Sequence, residues 1–323
     1  MKRGHTMHKK HTIKLYNDYE IPGVAFGTGV VKRFYRNKSL YFKDCFISFL
    51  KSVKHLKIDR KLKNDLNIYK IINNAIDNGY IFFDTGRLYG HSEKVIGRVI
   101  SKRDRDKIFI LTKVSDVDLE RYSYARSVKR NLDISLNNLG TDYVDAYLLH
   151  FPQGNWIDMY KEIEYEYKNG RTRAIGVCNF DIEELEKLRK STEIMPMICQ
   201  VEIHPLCTKK ELIEYCRREN IVIMAHSPIG HMNKKIIDSE VFKSLTAKYK
   251  KNPAQIMYKW HIQNGVIPII STVSMQHMKE NMDINDFELT DLEMQAIDSL
   301  NENFSFDKNS NKENDCPEFI YNV

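Results

Sequence analysis

Residues 174–203 read AIGVCNFDIEELEKLRKSTEIMPMICQVEI, and this stretch decides the fold. Two short runs rich in Val and Ile, residues 174–178 and 198–203, flank a polar segment that opens on Asp181-Ile-Glu-Glu184. An Asp with a Glu three residues on is a helix start: the first side chain caps free backbone N–H groups and the Glu reaches back. The unit is strand, helix, strand, with strands suited to burial on both faces of a parallel sheet.

The same alternation continues in both directions. Apolar runs at residues 24–29, 81–85, 108–113, 144–150, 221–226 and 266–271 complete a set of eight. Between them, Tyr69, Ile72 and Ile76 recur at helical spacing, as do Ala125, Val128, Leu132, Ser135 and Leu139. Thr290-Asp-Leu-Glu293 repeats the helix-start pattern, and the helix running through Lys259 stops at Gly265 just before the last strand. Eight strands with interleaved helices predict an α/β protein, a closed (β/α)8 TIM barrel rather than an open doubly wound sheet. Gly27-Thr28-Gly29 also lacks the third glycine of a dinucleotide-binding turn.

Two regions stand outside the alternation. Residues 12–22, with a central Asn17-Asp18, predict an N-terminal hairpin ahead of the first barrel strand. In residues 30–65, Phe42, Phe46, Phe49, Val53 and Leu56 fall three or four apart, which predicts an amphipathic helix over residues 40–56, inserted after that strand. The expected division is a disordered basic tail (1–12), a barrel (13–300) carrying the inserted segment 30–65, and a C-terminal tail or loop (301–323).

The chain has 323 residues, of which 42% are hydrophobic, enough for one large core. Its net charge of +7 is concentrated. Residues 1–12 hold four Lys or Arg and no acid, residues 31–65 hold eleven against three Asp, and the rest is mildly acidic. No nucleic-acid module accompanies this charge, so a charged tail and a solvated helix face explain it and no nucleic-acid partner is expected. No apolar run approaches the ~18–20 residues of a membrane span, and residues 1–12 lack an apolar signal core, so neither a membrane nor a secreted protein is expected. Six cysteines without a CxxC pair suggest reduced thiols in the cytoplasm and no metal site.

In such a barrel the reactive groups stand at the carboxyl ends of the strands. The second run ends in Phe83-Asp84-Thr85, with Tyr89 five residues after Asp84; the third ends in Lys113 and the fourth in His150. These four suit carbonyl reduction. Hydride addition leaves an alkoxide that needs a proton, and a tyrosine supplies one near neutral pH only if its pKa of ~10 is lowered. A neighbouring Lys113 ammonium favours the tyrosinate, and Asp84 keeps that ammonium charged and in place. His150 then donates a hydrogen bond to the carbonyl oxygen. Tyr89 and His150 are accordingly the candidate substrate contacts.

The motifs resemble those of the aldo-keto reductases from about Ile21 to Leu300. They include GVAFGTG (23–29), AIDNGYIFFDTGRLYGHSEKVIG (75–97), FILTK (109–113), SLNNLGTDYVDAYLLHFP (135–152), GRTRAIGVCNF (170–180), QVEIHP (200–205) and AHSPIG (225–230). AQIMYKWHIQNGVIPIIS (254–271) and KEN (279–281) complete the set. The resemblance implies that Asp84, Tyr89, Lys113 and His150 form a catalytic tetrad acting with NADP(H), with NAD(H) as the rival, on a small-molecule carbonyl in a monomeric protein. It further implies that Asn179 binds the nicotinamide carboxamide with Gln200 as its partner, Cys178 standing where Ser is common. Ser227 would meet the pyrophosphate, Thr28 and Asp84 would touch the cofactor, and Glu280 and Asn281 would lie near the adenine. His226 stands where an aromatic residue usually stacks on the nicotinamide. Ser271 and His277 stand where Lys and Arg usually hold the 2′-phosphate. Losing two fixed cations removes charge-assisted bonds of roughly 1.5–3 kcal/mol each, which brings NAD(H) into contention. The different-class alternative is a cofactor-binding regulatory subunit similar to those of potassium channels, for which a partner pull-down without carbonyl turnover is the sign.

The inserted helix has three readings: packing on the barrel, capping the active-site mouth, or contacting a membrane surface or protein partner. Deleting residues 36–57 is expected to alter substrate range or stability and to preserve cofactor binding, as a fluorescence titration of the folded deletion variant would check. Phe304, Phe306, Phe319 and Tyr321 of the C-terminal tail are either substrate contacts or packing groups.

Overall fold

The computed structural model describes residues 12–29, 60–114 and 124–306. Ten strands are described. The first two, β1 (Thr12–Lys14) and β2 (Glu20–Pro22), pair antiparallel, with Thr12 opposite Pro22. The other eight, β3 (Ala25–Gly27), β4 (Phe82–Asp84), β5 (Phe109–Val114), β6 (Ala146–Leu149), β7 (Ile175–Cys178), β8 (Ile198–Glu202), β9 (Val222–His226) and β10 (Val266–Ile270), form a closed barrel in chain order. Each strand is parallel to its neighbours, and β10 closes on β3 through Ile269 opposite Ala25 and Ile270 opposite Phe26. The eight apolar runs are these eight strands, trimmed by up to two residues at an end, except that β5 runs one residue further, to Val114.

The helices between strands are set by the caps and stripes their sequences carry. α1 (Arg60–Asp77) packs Ile72 into the core with Tyr69 and Ile76 at its edge. α2 (Ser92–Ile100) follows β4, and α3 (Tyr124–Leu139) buries Val128, Leu132, Ser135 and Leu139. α4 (Trp156–Lys168) follows β6, and α5 (Ile182–Ser191) starts on the expected Asp181–Glu184 capping box. α6 (Lys210–Arg218) and the short α7 (Lys234–Ile237) precede α8 (Glu240–Tyr249). α9 (Pro253–Gln263) has a capping box of its own, Asn252 with Gln255, and ends before Gly265 at φ 70°. α10 (Met275–Met282) and α11 (Asp291–Asp298) close the described chain, α11 on the Thr290–Glu293 box. Each such cap contributes about 1 kcal/mol.

The basic segment divides at α1. Residues 60–65 are the first turns of this barrel helix rather than an insertion, whereas the amphipathic helix expected over residues 40–56 lies outside the described residues. So do residues 1–11 of the basic tail and, in the C-terminal tail, Phe319 and Tyr321. Among the described residues no helix is long and apolar enough to cross a membrane.

The hairpin closes the amino-terminal end of the barrel. Leu15 and Ile21 are buried, the Tyr19 hydroxyl donates to Asp145 ahead of β6 at 2.6 Å, and Asn17 Nδ2 donates to the Arg173 carbonyl ahead of β7 at 3.0 Å. The carboxyl ends of the strands therefore form the opposite end. Alternation along each strand decides what faces inward. Phe82 and Phe109 are register partners whose rings meet at 4.3 Å, and two residues on from Phe82 the same face of β4 presents Asp84. Space inside is tight: a Cβ on Gly176 of β7 would overlap the Ile198 carbonyl of β8, so only glycine fits there.

Candidate active site

Asp84, the last residue of β4, and Lys113, on β5, are both almost fully buried. Lys113 Nζ donates to both carboxylate oxygens of Asp84, at 2.8 and 2.7 Å, and to the Thr85 carbonyl at 3.0 Å. Burial alone lowers the pKa of an ammonium, but the Asp84 carboxylate outweighs it, and Lys113 is held above its ordinary value. Gln200, on β8, donates through Nε2 to Asp84 Oδ2 at 2.7 Å. Thr28, past the end of β3, gives both its N–H and its hydroxyl to the Asp84 carbonyl, each at 2.9 Å. Fully buried, Thr28 fixes the backbone that carries the carboxylate.

Tyr89 lies over this pair, with Lys113 Nζ 5.1 Å from its ring centroid. His150, just past β6, meets the Tyr89 ring edge-on, at 6.4 Å between centroids and 79° between planes. Phe151 stacks on the imidazole at 4.3 Å. The four residues expected to act together, which span β4 to β6, are thus brought together at one end of the barrel. What they compose is a buried cation under a phenol, beside an imidazole.

A second layer adjoins them. Asn179, after β7, has a left-handed backbone (φ 62°), which Asn tolerates better than most residues. Its Nδ2 donates to the His150 carbonyl at 3.1 Å, and its Oδ1 lies 3.1 Å from His226 Nε2 at the end of β9. Among the described residues these bonds leave the Asn179 amide one N–H and one lone pair, the complement of a primary carboxamide such as that of nicotinamide. Cys178 is buried beside Lys113, and burial pushes its thiol pKa up, so it stays neutral. Ser227 follows His226 in a left-handed conformation (φ 50°).

The residues expected near the distal part of the cofactor form a separate group. The Ser271 hydroxyl donates to the Gly27 carbonyl at 3.0 Å, tying the end of β10 to β3. On α10, His277 is exposed with its N–H on Ser274 Oγ, Glu280 accepts from Gln276 at 2.7 Å, and Asn281 is buried.

Three contributors were not anticipated. Thr85 supplies a carbonyl to Lys113, and Phe151 braces His150; each directly follows a residue singled out in the sequence, and that adjacency was the available signal. The third is Glu202, at the end of β8 opposite His226. It accepts from His204 Nε2 at 3.0 Å, from the Phe306 N–H at 2.9 Å and from the Ser305 hydroxyl. Burial pushes its pKa up, but these donors and the nearby His226 outweigh burial and hold it at about 2. The start of the C-terminal segment is thereby anchored beside the site. Phe306 packs edge-on against His231 at 4.3 Å, and Phe304 meets Phe306 at 5.0 Å.

Comparison with known proteins places the chain in a family. The model of the Aldo/keto reductase family matches residues 54–302. Glyoxal reductase of Bacillus subtilis (strain 168) is 35% identical over 294 residues, covering 90% of this chain and 93% of that protein. Methylglyoxal reductase DkgA of Yersinia pestis is 34% identical over 234 residues, 71% of this chain and 82% of that protein. Among solved structures, a Bombyx mori aldo-keto reductase in complex with NADP superposes with a TM-score of 0.75 at 26% identity, covering 92% of this chain and 95% of that one. The chain belongs to the aldo/keto reductase family of NAD(P)H-dependent oxidoreductases.

Proposed function

We propose that the protein reduces small aldehydes or ketones to alcohols with NADPH, with Tyr89 as the general acid, and that α-dicarbonyls such as glyoxal and methylglyoxal are among its substrates. What carries this reading is the buried Lys113–Asp84 pair set beneath Tyr89 with His150 at its edge. The substrate class draws support from the glyoxal and methylglyoxal reductases among the relatives.

A bound reduced nicotinamide supplies the hydride. His150 donates a hydrogen bond to the substrate oxygen and orients the carbonyl. As the carbon gains the hydride, the C=O π electrons move onto that oxygen, which takes the Tyr89 hydroxyl proton. The Lys113 ammonium favours the tyrosinate left behind, and Asp84 keeps Lys113 charged and aimed. For the bound cofactor, Asn179 and Gln200 would supply amide groups to the carboxamide, Ser227 would meet the pyrophosphate, and Ser271, His277, Glu280 and Asn281 would hold the adenosine end.

The test is loss of 340 nm absorbance on mixing the protein with reduced cofactor and glyoxal, methylglyoxal or a panel of aldehydes, ketones and sugars. Absence of turnover across the panel would overturn the reading. In a fluorescence titration NADPH is expected to bind at least as tightly as NADH; tenfold tighter NADH binding would reverse the cofactor choice. That outcome has a physical route, since the exposed His277 and the tethered Ser271 hydroxyl provide no fixed cation for a 2′-phosphate.

A further inference from the structure

We propose that His226 is a positioning residue that locks the Asn179 amide the way round that a nicotinamide carboxamide requires; this deepens the function proposed above and rests on it. The argument starts from what each atom can do. The His150 carbonyl can only accept, so the Asn179 atom 3.1 Å from it is the amide nitrogen. Asn179 Oδ1 therefore faces His226, and an amide oxygen can only accept. His226 Nε2 must then carry a proton and donate it. The Asn179 amide is held at both ends, by an acceptor on its nitrogen and a donor on its oxygen. A flipped amide would set oxygen against carbonyl and N–H against N–H.

Neither bond alone suffices. With only the His150 bond, the amide still swings about its nitrogen; with both, its remaining N–H and lone pair point in one fixed sense. Asn179 and Ser227, the residue after His226, both have left-handed backbones, at φ 62° and 50°. A flat ring without a donor at position 226 would still offer a face for stacking, but it would leave Asn179 Oδ1 without this donor.

The test compares His226→Phe, which keeps a flat ring and removes the donor, with His226→Gln, which keeps an amide N–H donor. Three ligands are titrated by fluorescence or calorimetry: the whole reduced cofactor, its 3-acetylpyridine analogue without the amide NH2, and an adenosine diphosphate fragment without nicotinamide. His226→Phe is expected to weaken the whole cofactor by about three- to tenfold, the size of one hydrogen bond. It should leave the fragment unchanged and affect the analogue less, and His226→Gln should recover most of the loss. In Asn179→Ala, the further loss from adding His226→Phe should fall below twofold. Equal affinity of wild type and His226→Phe, equal weakening of the fragment, or additive losses in the double variant would each overturn the proposal. Should His226→Phe not fold, His226→Leu is read against the same limits. Wild-type protein that binds the fragment but gains nothing from the nicotinamide half would overturn the functional reading itself, a result distinct from all of these.

Discussion

A Tyr89→Phe variant is expected to bind the nicotinamide cofactor as the wild type does and to lose carbonyl reduction by a factor of about 10²–10⁴, the usual contribution of a positioned general acid. The substitution is close to isosteric. The phenyl ring keeps its place over Lys113, 5.1 Å from the ammonium, and its edge-on contact with His150. Only the hydroxyl disappears, and with it the proton that the substrate oxygen must receive. The effect should fall on kcat, because the proton moves in the chemical step and not on binding. A cofactor titration and steady-state kinetics on the same preparation separate the two quantities. Unchanged turnover would refute the role of Tyr89; lost turnover with equally lost cofactor affinity would point to a collapsed site instead.

The barrel was legible because its strands bury both faces, so each is a plain apolar run, and because Asp181, Thr290 and Gly265 mark helix ends by local chemistry. The cluster of Asp84, Lys113, Tyr89 and His150 was legible for a related reason: a closed parallel barrel gathers strand ends, so position along each strand predicts proximity. Contacts that cross the barrel leave no such trace. The Gln200 bond to Asp84 links β8 to β4, the His226 bond to Asn179 links the ends of β9 and β7, and Glu202 meets residues 305 and 306, over a hundred positions away. Ser271 shows the same limit. Its identity suggested a missing cation, but only the fold shows the hydroxyl fastened to Gly27. Linear patterns encode what repeats along a strand or helix; a single bond across the barrel has no period to read.

Lys113→Met should abolish carbonyl reduction and also destabilise the fold by about 3–5 kcal/mol at neutral pH, the cost of stripping a buried charge of its partner. In the wild type Asp84 receives two bonds from Lys113 and one from Gln200, all between 2.7 and 2.8 Å, in a site with almost no solvent. Met matches the length of the lysine stem but leaves the carboxylate facing Gln200 alone. With no cation beside it, the buried carboxylate is left uncompensated. In the wild type the pair is intact. Lys113 has its folded pKa raised, so the pair persists through neutral pH and dissolves only on the alkaline side, above the ordinary lysine range. Adding Asp84→Asn removes the stranded charge, and the double variant should regain much of the stability while staying inactive. Urea unfolding of the single and double variants at pH 7, with turnover measured alongside, tests each step. A Lys113→Met protein as stable as the wild type at pH 7 would mean that the buried carboxylate finds another partner. Recovery of activity in the double variant would mean that the ammonium is not what prepares Tyr89 to give up its proton.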